Sequence, residues 1–515
     1  MLFAKLSAVD VAIVLAYVLA TTLLGVWFTR RQRDLNTYFV GDRNVSWWLV
    51  LISIVATETS TVTFLSVPGR AFNPDGGDLK FLQLALGYVI GRVLIAWVLL
   101  PQYMGGRLVS AYQLLRQRFN PAVQRTASAI FLLTRVAADG LRLYLAALLL
   151  KQCTDWSTPV SILVIGAATM FYTYLGGMQA VIWTDVIQFA IYVTGAVVAA
   201  GFILGRVDGG PAGFLAAGAA HHKFDLLDFS PDPTNVNTLW AGLIGGAFFT
   251  MASHGADQMM VQRYFCSRSL TQARAALVSS GVVVLVQFLL FLLIGVGLFV
   301  LTRQGTLVLP PGTRNDEVFG HFIVDFLPVG VVGLLIAAVL AASMASLASS
   351  LNSAAGAFVA DFYRPLRPGC SEWHYLTVSR GMTSFWGVTR VAVALLAVSL
   401  MENRAVIDEV LKVAGVTTGM ILGLFLLGSL RRPVGSRAAL SGVVAGFATV
   451  LLVWWRTPLA WPWYAPVGTL VTVAVAMLLD RLGVGRESFA DRGAKPGLDE
   501  PGRAVAVTAR PPDER

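Results

Sequence analysis

Apolar runs long enough to cross a lipid bilayer recur along this 515-residue chain, with mostly short polar connections between them. A crossing needs about twenty residues. On that measure the sequence holds about thirteen spans, near 7–28, 46–72, 79–104, 123–151, 157–176, 181–205, 236–261, 272–302, 329–359, 376–400, 406–430, 436–455 and 463–482. Few folds are open to such a chain. In hydrocarbon every backbone N–H and C=O must find its partner within the protein, so spans of this length and apolarity are helices. With only 13% charged residues, a soluble globule of this size is excluded. The expectation is an all-α integral membrane protein.

The charge that does occur is placed by the membrane. The net +10 would suit nucleic acid, but the Lys and Arg residues sit at span ends and in the tail, which describes a basic membrane face and no nucleic-acid partner. Clusters follow alternate spans: Arg30, Arg31, Arg33 and Arg43 after the first, Arg107, Arg116, Arg118 and Arg125 after the third, and Arg263, Arg268 and Arg274 after the seventh. Arg364 and Arg367 follow the ninth, and Arg431, Arg432 and Arg437 the eleventh. Basic loops stay in the cytoplasm, so the amino terminus lies outside and the carboxyl terminus inside a plasma (inner) membrane. The first span is preceded only by Lys5 and followed by arginines, the reverse of a signal peptide, and reads as a retained helix. Residues 1–482 then form one transmembrane domain, and 483–515, rich in Pro, Gly and charge, a disordered cytoplasmic tail.

Two spans are interrupted. Trp47 to Pro68 is broken by Thr57-Glu58-Thr59-Ser60-Thr61, and Trp240 to Met260 by Phe249-Thr250-Met251-Ala252-Ser253-His254-Gly255. Polar groups at that depth cost free energy unless they face a cavity, a ligand or another helix. Helix packing alone would explain either one. Their pairing, each at the head of five spans, is the pattern of a transporter's binding site.

Motifs across residues 36–430 carry a family resemblance. Gly176-Gly177-Met178-Gln179-Ala180 running on to Thr184-Asp185-Val186-Ile187-Gln188 resembles the signature of the sodium:solute symporter family. Tyr38-Phe39-Val40-Gly41-Asp42-Arg43 with Trp47-Trp48, Asp257-Gln258 with Val261-Gln262-Arg263, Met344 to Ser353 with Asp361-Phe362-Tyr363, and Gly423 to Gly428 match in the same order. The resemblance implies a LeuT-like core of two inverted five-helix repeats, about 46–205 and 236–430, with one extra helix before and two after. It also implies sodium-driven uptake of a small organic solute, with Na+ as coupling ion and no other cofactor.

By the same resemblance, the ion would be held by backbone oxygens of Ala56, Thr59 and Ala342 and by side chains at positions 345 and 346. A hard cation takes such an oxygen cage. Ser346 fits, but Ala345 stands where the family pattern has a hydroxyl, so the cage lacks one oxygen unless water or the Thr59 hydroxyl supplies it. A second ion site would need Asp185 with hydroxyls at 345, 348 and 349, of which only Ser349 is present; one coupling ion is expected. Taken alone, the Ser/Ala run would be read as close helix packing.

Residues near the two broken helices, Glu58, Thr63, Thr250, Ser253 and His254, with Gln287 on the eighth span, are candidate solute contacts. Span four adds Arg135, Asp139 and Arg142, which share one helix face. This ladder leaves one cation over, and an arginine fork suits a carboxylate. A carboxylate-bearing solute, an amino acid or a monocarboxylate, is therefore preferred to a neutral sugar. Glu58 as a proton carrier keeps proton coupling open as the alternative, as does a sodium-independent transporter or a transporter-like sensor signalling through a partner. An enzyme is disfavoured: the five histidines make no HExxH, no GxSxG occurs, and Cys153, Cys266 and Cys370 form no ligand pair.

Overall fold

The computed structural model describes residues 6–29, 35–106, 108–154, 156–400, 406–432 and 434–484. Arg30, Arg31, Arg33, Arg107 and the tail from 485 lie outside the described residues. Among the described residues there is no strand, only helix and connections. Helices cover every one of the thirteen apolar segments.

In chain order, α1 (Ala8–Thr29) precedes the first broken span, α2 (Trp47–Glu58) and α3 (Val67–Phe72). There follow α4 (Leu82–Val98), α5 (Pro121–Cys153) and α6 (Thr158–Leu204). The second half opens with α7 (Gly246–Gly255) and α8 (Gln258–Phe265), and continues with α9 (Leu270–Arg303), the short α10 (Asn315–Phe326) and α11 (Val331–Phe358). It closes with α12 (Glu372–Leu400) and α13 (Val406–Ser429), and α14 (Ser436–Arg456) and α15 (Tyr464–Arg481) follow.

Local chemistry sets several of these ends. Asn120 accepts from the Val123 N–H at 3.0 Å, with Pro121 in the first turn, so α5 starts with an orphan donor satisfied. Ser269 does the same for Gln272 at the head of α9. Spans five and six form one run in α6, but Gly177, at φ 61, turns the chain within it, a conformation open to glycine without a Cβ penalty.

The first broken span bends by 66° between α2 and the helix that resumes at Val62. The resumed stretch Val62–Ser66 is π-wound, and Ala241–Gly245 in the second broken span is wound likewise. Such segments leave backbone groups unevenly paired and gather at functional sites. The second interruption is displaced from the sequence reading. α7 runs unbroken through Thr250, Ser253 and His254, and the chain leaves helix at Ala256–Asp257. Within the helical polar run Ser253 Oγ and His254 Nδ1 pair at 3.0 Å; Asp257 then caps α8 by accepting from the Met259 N–H at 2.8 Å.

The broken helices are wedged between neighbours. A Cβ at Gly295 of α9 would lie 2.0 Å from the Pro68 carbonyl, so glycine is what lets α9 lie against α3. Phe64 packs on Phe291 and stacks on Phe319 of α10, placing that short helix over the broken span at the face the basic-residue count assigns to the outside. α11 is almost wholly buried along its Ala/Ser-rich length, where small side chains let α1, α5 and α6 approach closely.

Candidate functional site

A cavity of about 120 Å³ lies at the breaks. Glu58, Thr63, Arg135, Arg142, Ser253 and His254 of the predicted solute contacts all line it, with Tyr88, Phe249 and Phe288 as its aromatic walls. Thr250 and Gln287 are not among its lining residues. Thr250 packs against Gly91 of α4, and Gln287 donates to the Thr59 hydroxyl at 2.7 Å.

Three charge groups surround the cavity. At the end of α2, Glu58 pairs with Arg92 of α4. Arg92 also donates to Ser280 at 2.6 Å and meets His254 Nε2 at 3.2 Å. The same Nε2 lies 3.5 Å from Glu58 Oε2, so His254 joins this group, and its Nδ1 faces Ser253.

The second group ties α5 to the second break. Arg135 clasps Asp257, its Nε at 2.9 Å from Oδ2. In the third group Asp139 is shared: Arg142 Nη1 lies 3.0 Å from Oδ1, Arg390 of α12 lies 3.1 Å from Oδ2, and Ser350 donates as well. Four guanidiniums (Arg92, Arg135, Arg142, Arg390) thus meet three carboxylates (Glu58, Asp139, Asp257). Arg142 carries the surplus. Among the described residues it makes one hydrogen bond, from Nη1 to Asp139; its Nε is buried with no hydrogen-bond partner, and its side chain is 19% exposed at the cavity wall.

The residues expected at the ion site are all buried: Ala56, Thr59, Ala342, Ala345 and Ser346. α2 ends at Glu58, and a helix end leaves carbonyls of its last turn without helical partners. Val55 is spoken for by the Thr59 N–H and hydroxyl; Ala56 is the next carbonyl along. The Ser346 hydroxyl lies 3.3 Å from the Ala342 carbonyl, so two of the expected oxygens on α11 are neighbours. The Thr59 hydroxyl donates to Val55 at 2.8 Å and accepts from Gln287 and, at 3.3 Å, from Tyr192. One donor and two acceptor positions are all a hydroxyl has, so Thr59 does not make good the oxygen that Ala345 lacks.

Asp185 and Ser349 do come together, around a residue the sequence reading assigned to a loop. Arg263 is completely buried in α8 and reaches both of them, together with Ser53 and Thr57 of α2. Arg263, Arg390, Asp257, Ser53 and Ser350 are the members that reasoning along the chain missed. The one signal available was that Arg263 closes the motif beginning at Asp257.

The family model for the sodium:solute symporter family matches residues 38–446. The chain belongs to that family. It is similar to the sodium/sialic acid symporter of Aliivibrio fischeri, 32% identical over 90% of this chain and 91% of that one. It is also similar to the human sodium-coupled monocarboxylate transporter 1, 30% identical over 82% of this chain and 68% of that protein. Among solved structures, a substrate-bound, outward-open Na+-coupled sialic acid symporter superposes with a TM-score of 0.85 at 28% identity, covering 92% of this chain and 98% of that chain. The protein is a sodium-coupled symporter of a small solute with the LeuT-like architecture, a multi-pass membrane protein and not an enzyme.

Proposed function

We propose that this symporter draws sodium inward to take up a monocarboxylate anion. The observation that carries the reading is Arg142, a guanidinium on the cavity wall with a buried, unpartnered Nε and one carboxylate too few around it. A planar fork with spare donors matches a carboxylate. An amino acid fits less well, because Glu58, Asp139 and Asp257 already hold guanidiniums and none is free to receive an ammonium. The relatives' cargoes, sialic acid and monocarboxylates, are acids too.

In this reading Ala56, Thr59, Ala342 and Ser346 hold the ion between α2 and α11, with water in the position Ala345 leaves open. The solute lies against Thr63, Ser253, His254 and Arg142. Glu58 serves Arg92 instead of carrying a proton, which favours sodium over proton coupling. The amino terminus faces outward and the carboxyl terminus the cytoplasm of a plasma membrane. Sodium bridging α2 and α11 favours the arrangement that accepts solute; if it raises solute affinity, solute raises sodium affinity by the same factor.

The test is uptake of radiolabelled lactate, sialic acid, alanine and glucose into proteoliposomes under imposed sodium, potassium or proton gradients. A sodium gradient should concentrate a carboxylate anion. Glucose accumulating equally well, or a proton gradient serving equally well, would refute the reading.

A further inference from the structure

We infer that a cavity at the cytoplasmic ends of α1, α2, α6 and α8 binds the headgroup of an anionic glycerophospholipid. The site is separate from the solute and ion sites and does not depend on the function proposed above.

The cavity, about 520 Å³, is larger than the solute cavity. Segments far apart in the chain build it. α1 contributes Leu24 and Trp27, the turn into α2 contributes Asn44 and Ser46, α6 contributes Trp183, and the turn after α8 contributes Arg268. The basic-residue count assigns every one of these ends to the cytoplasmic face. Backbone contacts hold the walls together. The Val45 N–H donates to the Cys266 carbonyl at 2.9 Å, and Arg268 Nε donates to the Asn44 carbonyl at 3.2 Å.

One side of the lining suits a phosphate. Among the described residues Arg268 is the only charged group on it. The side chain is exposed, and the bond to Asn44 is its only hydrogen bond among the described residues, which leaves both Nη groups for an anion. A guanidinium meets a phosphate through two parallel N–H bonds. Asn44 and Ser46 set neutral polar groups beside it, and Ser46 spends no side-chain bond on capping α2.

The other side suits an acyl chain. Leu15, Leu19, Leu23 and Trp27 of α1 are each more than half exposed and recur every four residues, an apolar stripe that leads to the cavity. Trp183 and its edge-on partner Trp48, 6.5 Å away, are 41% and 43% exposed. Tryptophans left exposed at span ends lie at headgroup depth. A free phosphate would use Arg268 and none of this apolar surface, whereas a phospholipid uses both. A zwitterionic headgroup would bring an ammonium to a wall that already carries a cation. Basic pockets between helices on the cytoplasmic side accordingly take anionic headgroups.

The experiment is native mass spectrometry of the full-length protein in detergent, titrated with dioleoyl-phosphatidylglycerol, dioleoyl-phosphatidylcholine or inorganic phosphate. Wild type should bind one phosphatidylglycerol more tightly than it binds phosphatidylcholine, and inorganic phosphate should not displace it. Losing one cation at a membrane surface corresponds to about fivefold in affinity. Arg268→Gln should weaken the first phosphatidylglycerol by that factor and leave phosphatidylcholine unchanged. Arg437→Gln removes an exposed arginine at the head of α14 on the same face and should leave both unchanged. Equal weakening by the two variants, phosphatidylcholine bound as tightly as phosphatidylglycerol, or displacement by phosphate overturns the inference. Should Arg268→Gln fail to fold, Ser46→Asp decides. Aspartate keeps the chemistry of a helix N-cap but sets a carboxylate against the phosphate, so phosphatidylglycerol binding should fall; unchanged binding overturns the inference.

Discussion

Replacing Arg142 by Gln removes one positive charge from the cavity and leaves every remaining guanidinium paired: Arg92 with Glu58, Arg135 with Asp257, Arg390 with Asp139. Asp139 loses one partner but keeps Arg390 and Ser350, so no buried carboxylate is stranded and the protein should fold. What goes is the charge-assisted bond to the solute. Hydrogen bonds to charged groups contribute about 1.5–3 kcal/mol, which corresponds to a rise of about 10- to 150-fold in the concentration of anion needed for half-maximal uptake. Arg135→Gln is the contrast. It strips the partner from Asp257, at the second break itself, and breaking a buried pair costs about 3–5 kcal/mol, so it should lower the yield of folded protein. The assay is initial-rate uptake of radiolabelled lactate by proteoliposomes, normalised to folded transporter measured by fluorescence-detected gel filtration. An Arg142→Gln protein with wild-type half-saturation, or one lost to misfolding as fully as Arg135→Gln, would refute the assignment and return Arg142 to a structural ladder.

Ser346→Ala should raise the sodium requirement for uptake and Ala345→Ser should lower it, read as half-maximal sodium concentration; unchanged values in both would move the ion elsewhere. Glu58→Gln strands the Arg92 guanidinium, which is completely buried, and should destabilise the protein by about 3–5 kcal/mol; adding Arg92→Gln should restore thermal stability, and no restoration would mean the pair is not what holds the site. Lys223, on the 206–235 connection, donates to the carbonyls of Ala71, Phe72 and Asn73 at the end of α3. Burial pushes its ammonium down to about 8 from the ordinary 10.5, with Asp78 and Asp75 pulling the other way. The unfolded chain binds that proton more tightly between the two values, so stability should rise with pH across that window, and Lys223→Met should flatten the rise; a wild type losing stability there on Lys223's account would contradict the sign. Finally, one sodium carried with one monoanion moves no net charge, whereas an unbalanced sodium would gain about 2.3 kcal/mol per 100 mV. Wild-type uptake should therefore be independent of voltage, and a solute-driven current would sink either the anion or the single ion.

Composition and apolar run length determined the class of this protein without help, because hydrocarbon permits so few ways of pairing a backbone. Each of the thirteen segments is helical, and the polar run Thr57–Thr61 marked the first break, since α2 ends within it at Glu58. Motif order identified the family, which the match over 38–446 confirms. The second break was misplaced by a turn: Ser253 and His254 pair with each other inside the helix.

The partners of the charges belong to the tertiary structure. Helical periodicity sees neighbours three and four residues away, and it found Asp139 with Arg142. The other pairings join residues far apart in the chain: Arg135 with Asp257, Asp139 with Arg390, Arg263 with Asp185. No period along one helix can reveal them, because each is set by how two helices face each other. A loop-side arginine and a buried one look alike in sequence; packing alone put Arg263 inside, against Asp185.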